Sequence, residues 1–240
     1  MPIITRAVEH ALDGQTFDSL LVFDDSHKGA RPTVLVFHDW AGRSEDQESF
    51  AKRLTHWGYA ALAVDLYGKG KRGKTTEECQ ALMGPLAQDR ALLRKRLLHV
   101  VQTAQSLSEI DTEKLAAIGF CFGGLCALDA ARAGAKLKGV ASFHGLLIPS
   151  GLDTVTPLAP KTIVFHGWDD PFCPPDQVLA FTKEMSEAGA DWQLHAYGST
   201  KHAFMNQGAN NPQMGLMYNA TSAGRAWKEL QLFLTEVFGA

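Results

Sequence analysis

Short apolar runs alternate along this chain with longer stretches in which apolar residues recur every three or four positions. The first pattern suits strands buried on both faces, and the second suits helices packed along one side. Their alternation predicts the α/β class, a mostly parallel sheet with helices on both faces. Strands are predicted near Leu20–Phe23, Thr33–Phe37, Ala60–Val64, Leu115–Phe120, Gly139–Phe143, Thr162–His166 and Gln193–Ala196. Helices are predicted at Asp46–Trp57, Thr76–Leu86, Asp89–Leu107, Gly124–Ala133, Gln177–Ala188 and Ser222–Phe238. In the third helix Leu93, Leu97, Val100, Val101 and Ala104 fall on one stripe; in the last, Ala223, Trp227, Leu230, Leu234 and Val237 do the same. No repeat, low-complexity segment or linker rich in Pro, Gly or Ser divides the sequence, so residues 1–240 are read as one domain.

Composition narrows the function classes. With 45% hydrophobic and 20% charged side chains in 240 residues, a sizeable core is expected. Lys plus Arg number 23 against 26 for Asp plus Glu, a net charge of −3, so no overall positive field draws the chain to nucleic acid or anionic lipid. No apolar run approaches the ~20 residues of a membrane span, and the amino end lacks the basic and then apolar pattern of a secretory leader. Cys79, Cys121, Cys126 and Cys173 are too few and too irregular for a disulfide scaffold. A reducing, cytoplasmic setting with no membrane or nucleic-acid partner is therefore expected, and a thiol there is free to do chemistry.

One thiol stands out. Gly119-Phe120-Cys121-Phe122-Gly123-Gly124 follows a predicted strand and opens a predicted helix. A nucleophile on such an elbow needs glycines two before and two after it, because the turn is strained and nearby Cβ atoms would clash. The helix start also places unpaired amide N–H groups beside Cys121. A thiol needs a base, and the base an orienting acid, each carried by a loop beyond a later strand. Asp170, in Trp168-Asp169-Asp170-Pro171, follows the strand ending at His166, with Asp169 as its rival. His202 follows the strand around Leu194. The oxyanion of an acyl-transfer step needs two backbone donors, for which the N–H groups of Phe122 and Trp40 are the candidates. Asp39, next to Trp40, would point into the same cleft.

These residues resemble the dienelactone hydrolase family of the α/β-hydrolase fold. The likeness runs from Val34-Leu35-Val36-Phe37-His38-Asp39-Trp40-Ala41-Gly42 through Gly58-Tyr59-Ala60, Asp65-Leu66-Tyr67-Gly68 and the Cys121 elbow to Asp170-Pro171-Phe172-Cys173-Pro174 and His202-Ala203-Phe204. The resemblance implies a Cys121–His202–Asp170 triad that cleaves small esters or lactones through an acyl-thioester, without a cofactor. It also implies an acid at Asp39 that holds the thiol proton; family members often carry the longer Glu there. Of two family arginines that grip a substrate carboxylate, the one just beyond the histidine matches Asn206 here, and the other falls on the helix region containing Arg90. A neutral amide at Asn206 cannot grip a carboxylate bidentately, so dienelactone itself is not the expected substrate. His144, Trp168 and Phe204, with Trp40, are the candidate walls of a pocket for an uncharged acyl group; His144 reads equally as a packed rim residue. Two other classes compete with esterase: a thioesterase, and a catalytically silent scaffold used for binding or sensing.

Other signals carry less. Gly68-Lys69-Gly70-Lys71-Arg72-Gly73 matches a dinucleotide-binding spacing, but three residues separate it from its strand and the next helix starts only after Thr75. Its lysines and arginine lack the interleaved aromatics of a nucleic-acid groove. The nine histidines include no zinc-binding spacing, and no metal is expected.

Overall fold

The computed structural model describes residues 2–239. Its strands are β1 (Ile3–Leu12), β2 (Gln15–Asp24), β3 (Arg31–Phe37), β4 (Ala60–Ala63), β5 (Ile110–Phe120), β6 (Gly139–Phe143), β7 (Lys161–Gly167), β8 (Trp192–Tyr197) and the short β9 (Asn210–Asn211) and β10 (Leu216–Met217). The helices are α1 (Glu45–Thr55), α2 (Thr76–Gln88), α3 (Arg90–Gln105), α4 (Phe122–Arg132), α5 (Pro175–Glu187) and α6 (Ala220–Phe238). Eight strands form one sheet in the order β1-β2-β4-β3-β5-β6-β7-β8; β9 and β10 pair separately.

From β4 to β8 every neighbour is parallel, as the doubly buried runs Val34–Phe37 and Ala116–Phe120 require. The edge is antiparallel: β1 pairs with β2, and β2 with β4. The apolar-run pattern missed β1, because most of its residues face solvent and its apolar residues come only in pairs broken by Thr5-Arg6 and Glu9-His10. Asp13-Gly14 turns the hairpin with both φ positive, at 51° and 75°, a turn signal that was there in the letters.

Each helix begins where its sequence supplies an acceptor for its first amides. Ser44 with Gln47 and Thr75 with Glu78 form capping boxes for α1 and α2, and the Asp89 side chain caps α3. The exceptions are α5, which opens on Pro174-Pro175 without a side-chain cap, and α4, whose first-turn amides receive none from Cys121. Helix α4 starts at Phe122, two residues earlier than its hydrophobic pattern predicts.

Helices α1 and α6 cover one face of the sheet and α2 through α5 the other. The predicted α3 stripe, Leu93 to Ala104, is buried throughout; that of α6 is buried from Ala223 to Leu234, with Val237 half-buried against it. Each large side chain buried this way contributes roughly 1.5–3 kcal/mol. No helix of the described residues is long and apolar enough to cross a membrane.

Charges pin the second layer. Arg132, 1% exposed at the end of α4, bonds Glu184 of α5 through Nε and Nη2 at 2.7 and 2.8 Å, and Asp129 at 3.0 Å. Asp129 in turn accepts from Arg90 Nε of α3 at 2.7 Å. Replacing one partner of such a buried set leaves uncompensated charge. Arg132→Ala is expected to destabilise the fold by about 3–5 kcal/mol, read as a lowered urea midpoint with an unchanged slope.

Candidate active site

Cys121 sits where β5 gives way to α4, at φ 55° and ψ −116°, a conformation that side chains normally avoid. Its N–H bonds Phe143 O at 3.0 Å, tying the elbow to β6. The flanking glycines make the turn possible. A Cβ at Gly119 would lie 1.9 Å from Gly123 O, and one at Gly123 would lie 2.4 Å from Phe37 O. The first turn of α4 therefore rests directly on the backbones of β5 and β3, and the sulfur stands above the sheet, half-buried.

The later strands deliver the other groups. Asp170, 3% exposed, follows β7, while its neighbour Asp169 is exposed. Asp170 Oδ2 meets His202 Nδ1 at 2.7 Å, and Asp170 Oδ1 accepts the Phe172 N–H at 2.8 Å. Thus both carboxylate oxygens are engaged and the ring is oriented. Burial opposes a charge on His202, but its interactions with the Cys121 sulfur, and then with Asp170, hold the imidazole protonated well above its ordinary range. The loop beyond His202 folds back: Met217 N–H bonds His202 O at 3.0 Å, so the β9–β10 hairpin hangs from the histidine's own backbone. Asn210, Asn211, Met214 and Leu216 of that segment roof the cleft.

The loop after β3 forms the opposite wall. His38 is fully buried, and burial lowers its pKa to about 4, so it is neutral. Its Nδ1–H donates to Asp39 O at 2.6 Å, and its Nε2 accepts the Leu66 N–H at 3.3 Å, which fixes the tautomer. Tyr67 Oη donates to Trp40 O at 3.0 Å. Two side chains that the sequence left without a site role therefore hold the Trp40 peptide still. Among the described residues, neither the Trp40 nor the Phe122 N–H has an acceptor. Asp39 Oδ1 accepts the Ala41 N–H at 2.9 Å, closing its own turn, and burial pushes its carboxyl up to about 6.

These walls enclose a cleft of about 620 Å³ that holds Cys121 and His202 together with Asp39, Trp40, His144 and Asn206. Phe50, Met83, Phe120, Leu146 and Phe172 make much of it apolar. Among the described residues, Asp39 and Asp46 are the carboxylates that line it, and no Lys or Arg does. Three expected pocket residues lie elsewhere. Trp168 is 45% exposed, because its side chain turns outward onto His166. Phe204 is fully buried behind His144 and Tyr197, since the backbone beyond His202 carries it into the sheet face. Arg90 is spent on the Asp129 ion pair in the helix layer. Among the described residues no group of three His, Cys, Asp or Glu side chains is arranged to hold a metal.

A parallel-centred sheet with a strained cysteine elbow and a His–Asp pair over its carboxyl ends defines an α/β-hydrolase-type enzyme. The model of the dienelactone hydrolase family matches residues 17–238, and the chain belongs to that family. It is a dienelactone hydrolase-like ester hydrolase. A structure named m3DLH superposes with a TM-score of 0.92 at 32% identity, covering 98% of this chain and 99% of the other. A dienelactone hydrolase-like promiscuous phosphotriesterase, P91, from metagenomic libraries gives 0.92 at 30% identity over the same shares. A Yersinia pestis protein bearing a carboxymethylenebutenolidase name is 26% identical, over 93% of this chain and 85% of that one.

Two stability measurements follow from this geometry. At most positions alanine stabilises relative to glycine, but at φ 55° the order inverts: Cys121→Gly is expected to exceed Cys121→Ala by about 1 kcal/mol in urea unfolding. Asp39 titrates near 6 in the folded chain against an ordinary 3.8, so the folded state holds a proton that the unfolded state has shed. That contribution to stability is lost as pH rises from about 4 to 6. Asp39→Asn, which keeps the acceptor for Ala41, is expected to gain stability over the wild type at pH 7 but not at pH 4.

Proposed function

We propose that Cys121 is the nucleophile, His202 the acid–base group and Asp170 its orienting acid in a hydrolase of small, uncharged esters and lactones. The observation that carries this reading is the 2.7 Å His202–Asp170 bond in a cleft that also presents the strained Cys121.

The steps run as follows in chemical terms. Cys121 Sγ attacks the acyl carbon, its proton resting on His202 as imidazolium, and the carbonyl electrons move to oxygen. The unspent Trp40 and Phe122 amides bond that oxyanion. Collapse breaks the carbon–oxygen bond, and His202 gives its proton to the leaving alkoxide, which in a lactone stays tethered to the acyl group. Water then attacks the thioester, losing a proton to His202, and the carbon–sulfur bond breaks to release the acid. Asp170 keeps Nε2 of His202 aimed at the cleft throughout.

Charge sets the substrate class. With two carboxylates and, among the described residues, no lysine or arginine on its walls to grip a carboxylate, the cleft disfavours an anionic substrate and accepts a neutral one. A neutral phosphotriester meets the same requirement, and the likeness to P91 makes phosphotriester cleavage the second reading.

Iodoacetamide is expected to alkylate Cys121 faster than the other three cysteines, which are all buried, and to do so more slowly in His202→Ala. A panel of esters, lactones, thioesters and a phosphotriester completes the test. Cys121→Ala is expected to lose turnover on the order of a thousandfold or more. Full turnover by that variant on every substrate the wild type cleaves would overturn the mechanism. For a lactone carrying a carboxylate, its methyl ester is expected to show kcat/KM about tenfold higher; preference for the free acid would overturn the charge argument.

A further inference from the structure

A second histidine lies beside the triad and has no part in the steps above. His144 follows β6 at φ 38°, one of five non-glycine residues with positive φ among those described, and its N–H is tied to Phe165 O at 2.8 Å. It is 3% exposed, yet it lines the cleft. Its ring stands edge-on to His202 at a centroid distance of 5.0 Å and is backed by Phe204 at 5.3 Å. Among the described residues, neither ring nitrogen has a hydrogen-bond partner.

Three features thus meet in one residue: strained backbone, burial against the reacting groups, and unspent polar atoms. A buried imidazole with nothing to bond is costly, and such sites persist where a bound molecule completes them. His166 is the contrast. It too is buried with unpartnered nitrogens, but its φ is not positive and it does not line the cleft. Burial, and then the neighbouring His202, push the His144 pKa well below its ordinary value. The ring is therefore neutral, one nitrogen a donor and the other an acceptor.

In acyl transfer the oxygen that leaves in the first half-reaction and the water oxygen that attacks in the second occupy one place, next to the base. That place adjoins His202, and the His144 ring stands edge-on to His202 at 5.0 Å on the same wall; its nitrogens are covered in this structure, so the ring must turn about its side-chain bonds to present one to that oxygen. We propose that His144 is a further catalytic residue whose imidazole hydrogen-bonds this exchanging oxygen, first the departing alkoxide and then the attacking water, and sets it against His202. His144 gains and loses no net proton: the imidazolium proton of His202 goes to the alkoxide, and the water proton returns to His202. This role rests on the Cys121–His202 reading of the site.

The test separates bond formation at sulfur from handling of that oxygen. Alkylation by iodoacetamide forms a sulfur–carbon bond with iodide leaving, so no exchanging oxygen takes part. His144→Phe keeps the ring packing and removes the nitrogens; His144→Leu is read in the same way should the phenylalanine variant misfold. Each is expected to leave alkylation of Cys121 within about twofold of wild type. For an ethyl ester, whose alkoxide needs help to leave, kcat/KM is expected to fall on the order of tenfold. The p-nitrophenyl ester of the same acid needs little help, so its acylation is expected to hold while deacylation slows, and a burst of p-nitrophenolate grows. His144→Gln, which keeps a donor and an acceptor, should recover part of the loss. Equal losses for both esters together with slowed alkylation would make His144 a support for His202 and overturn the proposal, as would wild-type kinetics in every variant. A wild type in which Cys121 is not selectively alkylated would instead overturn the nucleophile reading.

Discussion

A backbone must turn from strand to helix within one residue at Cys121 and hold a conformation that L side chains rarely adopt. Local preference opposes that turn, so the surroundings have to enforce it. Enforcement comes from contact between main chains: the first turn of α4 lies on β5 and β3 so closely that glycine alone fits at Gly119 and Gly123, while Phe143 O holds the Cys121 amide from the other side. The parallel order of β3, β5 and β6 brings these three supports together. Everything that acts on the sulfur is then placed by loops leaving the same edge of the sheet.

The remaining groups are fixed with a similar economy of partners. His202 is oriented by one carboxylate whose second oxygen is already engaged by its own loop. The Trp40 peptide is held by a neutral histidine beneath it and a tyrosine hydroxyl beside it. Such bonds cost nothing further to reorganise when charge develops on a substrate oxygen. Because no lysine or arginine among the described residues enters the cleft, the Trp40 and Phe122 amides and the His202 ring are the positive elements it offers.

The sequence revealed the parallel core and the elbow because both leave strong local marks: continuous apolar runs for strands buried twice over, and glycines at fixed offsets from a cysteine. It revealed less where position depends on distant parts of the chain. β1 is half-exposed and shows no apolar run, so only its Asp13-Gly14 turn announced it. Trp168 and Phe204 flank site residues in the sequence, but both lie in turns, where periodicity does not set side-chain direction: Trp168 follows the end of β7 and faces solvent, and Phe204 follows Ala203 at φ 59° into the core. The family likeness reads Arg90 as a grip for a substrate carboxylate and not as the partner of Asp129, which lies on another helix. His38 and Tyr67 gave no periodic signal, since their importance lies in bonds to Asp39, Leu66 and Trp40 that only folding brings within reach.

The β9–β10 hairpin is tethered on either side of the imidazole. Leu216 pairs with His202, Met217 bonds its carbonyl, and the Asn219 N–H bonds Phe204 O at 3.2 Å. The roof over the cleft and the mount of His202 are consequently one mechanical unit. Guests that lift the roof pull on the ring, whereas guests small enough to slip beneath it leave the ring where Asp170 sets it. Selection by size would in this way reach the rate constant as well as the binding constant, with no separate gate in the fold.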